Sequence, residues 1–382
     1  MDRRSFMLYV AKGVTMSTSF LIQLMIARMS GAEGFGVWSL FLNLSLIFTT
    51  IGDWGVTLNG PAMMLQANGQ SWAASANYWR KRIAFFAGIL MLLVIYSMYP
   101  KLAPVMVFGM SMVLGHGFLQ DWHDRGLMRP DRASYRQMLQ GLLQVSAVAL
   151  VIYFKGSFDW VLCAYASMAA LTYFIFYKKI ARPSVEKFSH RDWLGKQFPV
   201  LAGWALYYLT YNLPALLLGY LYQPAILGQY ASHYFIYATV GTFSVITMDI
   251  FMAKTDDADR RFWLSLSSVL GMLMIACSSF YYPFIFGEKG FVWDSLLNIE
   301  MVILCGVLGL RLYFFNGLLP QGAIKAYCIW NGISFILHIV LITTGLLVFD
   351  TYEPWLAAVC LILAELFSLL LFSFKIKRKY VG

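Results

Sequence analysis

Charged side chains are scarce in this sequence. Asp, Glu, Lys and Arg make up only 13% of its 382 residues, whereas 60% of the residues are hydrophobic. Soluble domains carry about 25% charged residues, because a water-exposed surface has to be largely polar. The scarcity excludes an ordinary soluble globular protein and indicates a membrane protein.

Sets of residues that could hold a metal or form disulfides are also missing. Residues 121–125 form a polar cluster with a single His among acids, which lacks the ligand spacing of a metal centre, and we expect a solvated helix end there. We expect no metal, no catalytic residue and no cofactor. Five cysteines are scattered through apolar stretches without metal-ligand or disulfide spacing: Cys163, Cys277, Cys305, Cys328 and Cys360.

Long apolar runs are what the sequence has instead. A helix needs about 20 apolar residues to cross a bilayer, and twelve stretches meet that need. No cleavable signal is expected, because the basic start continues into a segment that contains Lys12 and no small-residue cleavage site. The sequence thus predicts an all-α membrane protein. The stretches lie near residues 8–29, 37–60, 83–99, 102–120, 137–154, 157–177, 199–221, 228–253, 262–286, 297–319, 326–349 and 355–374.

Basic residues alternate along the connections between these stretches. Of the 29 Lys and Arg residues, 23 fall on the termini and on every second connection, whereas only Lys101, Lys155 and Lys289 fall on the others. The positive-inside rule places the basic side, with both termini, in the cytoplasm. Basic loops beside anionic lipid account for the excess positive charge, so no nucleic-acid partner is expected.

Two short motifs suggest an internal repeat. Gly36 and Trp38 in the first hairpin align with Gly228 and Tyr230 in the seventh-to-eighth connection, nearly half the chain away. Chance similarity of a Gly-x-aromatic turn is the alternative. A repeat of six spans predicts two bundles of the same orientation. The expected domains are residues 1–180, a cytoplasmic linker at 181–198, residues 199–374 and a basic tail at 375–382.

The same motifs carry a resemblance to a known family. Residues 34–38 (Gly-Phe-Gly-Val-Trp), 228–230 (Gly-Gln-Tyr) and 284–287 (Phe-Ile-Phe-Gly) together resemble the polysaccharide (Wzx-type, O-antigen) flippases of the MOP, or MATE-like, exporter superfamily. The resemblance implies about 12 transmembrane helices in two pseudo-symmetric six-helix bundles around a central cleft. It also implies that spans one, two, seven and eight line the cleft.

The resemblance implies a function as well. Members of this family flip polyprenyl-diphosphate-linked oligosaccharide units across the bacterial inner membrane by alternating access, for O-antigen or capsule assembly. The expected partners are the lipid-linked oligosaccharide, membrane lipid and other membrane proteins of polysaccharide assembly. Coupling to H+ or Na+ is the only ion requirement that the family suggests.

Charged residues inside the apolar spans are the first candidate site residues, because charge in a bilayer is costly and usually functional. We expect Lys12, Gln23, Arg28 and Arg311 to contact substrate. Lys12 and Gln23 share one face of span one with Thr15 and Ser19, and mutual burial of polar helix faces is the alternative. By depth, Lys12 could pair with Asp53, and Arg311 with Glu365. The expected ion-coupling acids are Asp53, Asp249, Glu300 and Glu365.

Aromatic residues at helical spacing are the second set of candidates. Spans seven and eight each repeat them at i, i+3, i+4 and i+7, which puts one aromatic face on each helix. Tyr and Trp rings stack on sugars while their polar ends bond hydroxyls, and interface anchoring or helix packing is the alternative. The expected sugar contacts are Trp204, Tyr207, Tyr211, Tyr234 and Tyr237, beside Tyr208, Tyr230 and His233.

Three other functions remain as alternatives. A multidrug or small-molecule exporter and a lipid II flippase would belong to the same superfamily. An integral membrane glycan polymerase or ligase would be an enzyme, and it would need external loops with acid, base or cationic groups. Here the external connections are short, the largest being about residues 287–294. We therefore expect a transporter and not an enzyme.

Overall fold

The fold is helical throughout the residues that the structure describes, and no strand occurs among them. This computed structural model describes residues 3–66, 69–100, 103–127, 130–177, 190–251, 257–287, 289–318, 324–349 and 353–380. The predicted all-α fold is confirmed. The helices in these ranges are α1 (Arg3–Asp53), α2 (Val56–Met64), α3 (Gly69–Met98), α4 (Ala103–His116), α5 (Asp121–Gly126), α6 (Pro130–Tyr153), α7 (Phe158–Ile175), α8 (His190–Leu221), α9 (Pro224–Phe251), α10 (Asp257–Ala276), α11 (Ser278–Phe286), α12 (Ser295–Leu318), α13 (Ile324–Phe349) and α14 (Pro354–Tyr380).

Helix α1 contains the first two predicted spans. A kink at Gly31, with φ of 66°, separates them, and glycine tolerates this backbone without the strain that a Cβ would add. The second span is shorter than predicted, because the chain turns at Trp54 (φ 52°) and Gly55 (φ 74°) before α2 begins. The predicted connection between spans one and two lies beside this break, and the end of the predicted second span is a separate short helix.

The ninth predicted span is also interrupted. It consists of α10 and α11, whose axes bend by 65° at Cys277. Six stretches of the described helices are long and apolar enough to cross a membrane by themselves, or seven if this bent pair counts as one span. They are residues 10–64, 69–98, 158–175, 295–312, 328–349 and 354–371.

The chain forms two compact units. Unit 1 comprises Met1–Met29 and Phe41–Ala205, and unit 2 comprises Ser30–Leu40 and Leu206–Gly382. The segment after the kink in α1 thus belongs to unit 2, although the rest of α1 belongs to unit 1. No observation tests the predicted domain limits at 180, 198 and 374, and they remain predictions.

Unit 1 contains a tryptophan core at the ends of several helices. The rings of Trp72 and Trp122 meet edge to face at 5.5 Å between centroids, and Trp72 lies 6.3 Å from Trp193. All three are buried, together with Val56 and Met64 of α2. Burying aromatic rings contributes much of the packing energy of a core. This cluster attaches α2, α3, α5 and the start of α8 to one another.

Unit 2 contains a close helix crossing between α1 and α9. A Cβ on Gly36 would overlap the carbonyl oxygen of Pro224 and lie 2.9 Å from the nitrogen of Gly228. A Cβ on Gly228 would overlap the carbonyl oxygen of Ala32. The two glycines that align in the sequence repeat therefore face each other, and this contact requires residues without a side chain.

Candidate functional site

A buried ion pair lies in unit 2. Arg311 of α12 donates through Nη1 to Oε1 of Glu365 on α14, as the sequence predicted. The side chains are only 3% and 0% exposed, so little water screens the two charges. Nη2 of Arg311 donates to Oδ1 of Asn331 on α13, and Ser334 donates to the same glutamate oxygen at 2.8 Å. Three helices are thus joined through one guanidinium.

Aromatic rings enclose the Arg311 guanidinium. Its central carbon lies 4.8 Å from the ring centroid of Tyr207, 5.5 Å from that of Tyr211 and 5.3 Å from that of Trp330. Cations are attracted to the faces of such rings, and more strongly where water is absent. The structure therefore places Arg311 and Glu365 beside the predicted aromatic face of α8.

The aromatic face continues on α9. The rings of Tyr234 and Tyr237 lie 5.2 Å apart, and those of Tyr207 and Tyr211 lie 4.9 Å apart. The Tyr237 and Tyr211 phenols are close enough to interact electrostatically. Four of the five predicted sugar-contacting residues therefore form one tyrosine wall, which we define as Tyr207, Tyr211, Tyr234 and Tyr237. Trp204, the fifth predicted contact, is half-buried and belongs to unit 1.

Two atoms at this site are buried without a hydrogen bond in the described structure. One is the hydroxyl of Tyr211, and the other is Oε2 of Glu365. Desolvating a polar atom without a partner costs about 1 to 3 kcal/mol, so such atoms are uncommon in a settled core. Here both belong to residues around Arg311. The site therefore has unused capacity for a polar ligand or a proton.

The second cluster of buried charge lies in unit 1, around Asp53. Its Oδ1 accepts from Arg80 Nη2 at 2.5 Å and lies 3.5 Å from His116 Nε2, while Oδ2 accepts from the backbone amide of Thr57 at 2.8 Å. Arg80 also donates to the carbonyl oxygens of Leu119 and, at 3.2 Å, of His116. Asp53 is thus held by Arg80, which lies in the basic connection between the predicted second and third spans.

A helical pattern in the sequence could have revealed Arg80. The buried positions of α3 include Ala73, Ala76, Arg80, Ala84 and Ala87, which recur at helical spacing. A cation within a stripe of small residues is expected to point inward, because the other residues of that stripe are buried.

The polar cluster at residues 121–125 differs from the expectation of a solvated helix end. Asp121 and Trp122 are buried, and Arg136 binds Asp121 with two bonds, from Nε to Oδ1 at 2.6 Å and from Nη2 to Oδ2 at 2.5 Å. Only Arg125 is exposed. Helix α5 packs on α6, which brings the arginine within reach. No group of three metal-binding side chains occurs in the described residues.

The remaining predicted residues are spread over both units. Lys12 and Gln23 are half-buried and Arg28 is exposed, all in the part of α1 that belongs to unit 1. Glu300 of α12 is 4% exposed, and neither carboxylate oxygen has a hydrogen bond in the part of the chain described. The side chain of Asp249 lies outside the described residues.

Comparisons with solved structures identify the fold. One similar structure is an inward-facing multidrug resistance MATE family transporter of the MOP superfamily, which is 12% identical with a TM-score of 0.65. The alignment covers 98% of this chain and 99% of that transporter. The lipid II flippase MurJ, in an inward closed conformation, is 12% identical, with coverages of 97% and 87% and a TM-score of 0.65. A MOP superfamily transporter from Pyrococcus furiosus is 13% identical, with coverages of 98% and 95% and a TM-score of 0.59.

These identities are too low to assign a substrate. No protein-family model matches the sequence, and no curated protein matches it significantly. The likeness nevertheless extends over nearly the full length of both chains in each pair. The chain therefore shares the fold of the MATE transporter and of MurJ, and six or seven of its described stretches are long and apolar enough to cross a membrane.

Proposed function

We propose that this protein flips polyprenyl-diphosphate-linked oligosaccharide units across the bacterial inner membrane by alternating access. The product would supply surface polysaccharide such as O-antigen or capsule. Both termini would lie in the cytoplasm, as the distribution of Lys and Arg predicts. Other membrane proteins of polysaccharide assembly would receive the translocated unit.

One observation carries this proposal: a buried arginine lies beside a wall of tyrosines. Tyr207 and Tyr211 lie against Arg311, and their rings offer flat apolar faces with hydroxyls at the edge. Sugar rings stack on such faces, and guanidinium groups bind diphosphates well. A substrate with sugars next to a diphosphate matches both features. MurJ, which has the same fold, is a flippase of lipid II.

Glu365 would regulate access to Arg311. In the present arrangement the carboxylate of Glu365 accepts the hydrogen bond that a diphosphate oxygen would accept. Protonation of Glu365 would weaken the ion pair and leave Arg311 able to bind an anion. Export would then be coupled to H+, because protonation of Glu365 would free the arginine that binds the substrate. Na+ could compete for the carboxylate in the same way.

Glu300 is the second acid that we assign to coupling. It is buried without a hydrogen bond in the described chain, whereas Asp53 is held by Arg80. A buried carboxylate without a partner is costly as an anion, so protonation stabilises it there. We therefore expect neutralisation of Glu300 to disturb ion coupling more than folding. Asp249 remains a candidate from the sequence.

The test is export in a host that lacks its own copy of this gene. Tyr211→Ala should reduce surface glycan at least tenfold and cause lipid-linked units to accumulate on the cytoplasmic leaflet, at normal protein level. Tyr220→Ala is the matched control, since Tyr220 lies on the same helix but is 54% exposed. Full export by the Tyr211 variant would contradict the assignment of the tyrosine wall.

A multidrug exporter is the alternative that the comparisons favour, because a MATE transporter matches over 98% of this chain. That function predicts that deleting the gene lowers tolerance to cationic drugs and leaves the surface glycan unchanged. Measurement of both properties in the same deletion strain separates the two functions.

A further inference from the structure

We propose that His233 is a proton-sensitive latch that holds the α11–α12 connection against α1 and α9, and that its protonation releases this connection. We call residues 289–294, from Lys289 to Asp294, the strap. The inference concerns a proton-linked step of transport and extends the proposed function, but its evidence is independent of the substrate. By the distribution of charge, the strap would face the external side.

The strap is tied to two helices by main-chain hydrogen bonds. The amide of Ala32, next to the kink in α1, donates to the carbonyl oxygen of Lys289 at 3.0 Å. On α9, Gln229 donates to the carbonyl oxygen of Val292 and accepts from the amide of Val292 at 3.0 Å. The Gln229 side chain thus pairs with the Val292 backbone as a neighbouring strand would. The strap therefore bridges α1 and α9 beside the crossing of Gly36 and Gly228.

His233 provides the bond that depends on protonation. Its Nδ1 lies 3.1 Å from the carbonyl oxygen of Gln229, which can only accept, so Nδ1 must carry a hydrogen. Its Nε2 lies 3.3 Å from the backbone nitrogen of Asp294, which can only donate, so Nε2 must be bare. These two partners together require the neutral imidazole with its hydrogen on Nδ1. A second proton on the ring would place an N–H at Nε2, directly opposite the backbone N–H of Asp294, and two donors repel each other.

The surroundings of His233 offer little compensation for a charge. The imidazole is 1% exposed and packs against the rings of Tyr282, at 4.9 Å, and Trp293, at 5.3 Å, which also contact each other at 5.2 Å. The titratable groups that face it are Tyr282 from α11 and Asp294 from the strap; from its own helix, the hydroxyl of Ser232 lies at 3.3 Å. No other charged group in the described ranges acts on it. The Asp294 carboxylate attracts an imidazolium from its present position, but the group that faces Nε2 is the Asp294 backbone amide and not the carboxylate.

Asp294 is engaged at the start of α12. Its Oδ1 accepts from the amides of Leu296 at 2.9 Å and Leu297 at 3.1 Å, which caps the helix. Turning this carboxylate towards a protonated His233 would sacrifice the cap. Either response to protonation, repulsion at Nε2 or movement of Asp294, breaks the bond between α9 and the strap. Release of the strap from α9 therefore requires His233 to take up a proton from the side of the membrane that the strap faces.

The released histidine would have an ordinary pKa of about 6.5, whereas in the latched one the Asp294 amide occupies the position on Nε2 that a second proton would take. A lower pH thus favours release, and a pH well above 6.5 leaves the latch closed. Between pH 7.5 and 5.5 the population of the released form should rise about tenfold, since a group of this pKa gains about tenfold in protonated fraction over that range. The effect needs neither substrate nor partner.

Hydrogen–deuterium exchange of the full-length protein in lipid nanodiscs tests this inference. After correction for the intrinsic rates, the peptide that contains the Val292 and Asp294 amides should exchange about tenfold faster at pH 5.5 than at 7.5. His233→Gln, which stays neutral and can still accept from Asp294, should abolish that ratio, whereas His123→Gln in unit 1 should keep it. Equal protection of wild type at both pH values, or a ratio that survives in His233→Gln, would overturn the latch.

The outcome is separable from the proposed substrate. If the exchange result is obtained but glycan export fails its own test, the strap is a proton-linked element of a transporter for another substrate. If the His233→Gln protein does not fold, a wild-type exchange profile that is flat above about pH 6.5 and rises steadily below it supports the latch, and a profile that is flat throughout contradicts it.

Discussion

Individual buried charges in this protein are held by partners on other helices. Arg311 binds Glu365 and Asn331, and Arg80 binds Asp53 and two carbonyl oxygens at the end of α4. Removing one member of a buried pair is far more costly than removing both, because the remaining charge lacks a partner. The two arginines should therefore respond strongly to single substitution.

Arg311→Met should destabilise the protein by about 3 to 5 kcal/mol, because it leaves Glu365 buried as an unpaired acid. Arg311→Met combined with Glu365→Gln should recover at least half of that loss. The measurement is thermal unfolding in detergent, with surface glycan export assayed in parallel. A double variant no more stable than the single one would show that the pair is not the unit of stability.

Arg80→Ala should cost about 3 to 5 kcal/mol, since Asp53 loses its cation and the end of α4 loses its donor. Arg82→Ala is the matched control, because Arg82 is two residues away, exposed and packed on Tyr78 at 3.5 Å from the ring centroid. We expect a change below about 1 kcal/mol there, as for most exposed ionic contacts. Comparable losses in both variants would contradict the buried role of Arg80.

At the scale of elements, the crossing of α1 and α9 depends on two small residues. Gly36 and Gly228 lie where the helix backbones meet, and each leaves no space for a side chain. The kink at Gly31 redirects α1 just before this contact, and the strap ties the same region. The start of α9 and the Ser30–Leu40 segment of α1 therefore behave as one packed element of unit 2.

Gly228→Ala should separate these helices, because its Cβ would overlap the carbonyl oxygen of Ala32. Overpacking of this kind costs about 1 to 3 kcal/mol, or more where backbone must move. Gly13→Ala on α1 is the control, since a Cβ there meets nothing within 4 Å and alanine favours the helix. Thermal unfolding of the two variants should therefore shift in opposite directions, and an unchanged Gly228→Ala protein would refute the close contact.

At the scale of the whole molecule, the distribution of charge predicts how the chain is oriented in a membrane. The basic connections lie on one predicted side, and only three lysines lie on the connections of the other. Charge of this kind sets the direction in which helices insert. The fold by itself is compatible with either orientation.

A reporter at the C-terminus checks the orientation. Green fluorescent protein fused after Gly382 should fluoresce, and alkaline phosphatase fused at the same place should be inactive, because both report a cytoplasmic end. A phosphatase fusion within the α6–α7 connection, near Lys155, should be active. The opposite pattern would reverse the assignment of the two sides and would place the strap in the cytoplasm.

Much of the site could be predicted from the sequence, because its signals are periodic. The helical spacing of Tyr207 and Tyr211, and the similar depth of Arg311 and Glu365, indicated residues that the structure brings together. The sequence did not reveal that Asp53 pairs with Arg80, or that Asp121 is buried against Arg136. Depth along a helix axis is a local property, whereas the cation that reaches Asp53 or Asp121 depends on which helices pack together.

The sequence alone determined the membrane class, the positions of the apolar helices and the predicted orientation, because hydropathy, spacing and charge act residue by residue along the chain. Only the tertiary structure decided that the two repeat glycines face each other and that the strap lies against His233. The physical reason is that packing and hydrogen bonding join groups far apart in the chain. Asp294 and His233 are 61 residues apart, and no local pattern links them.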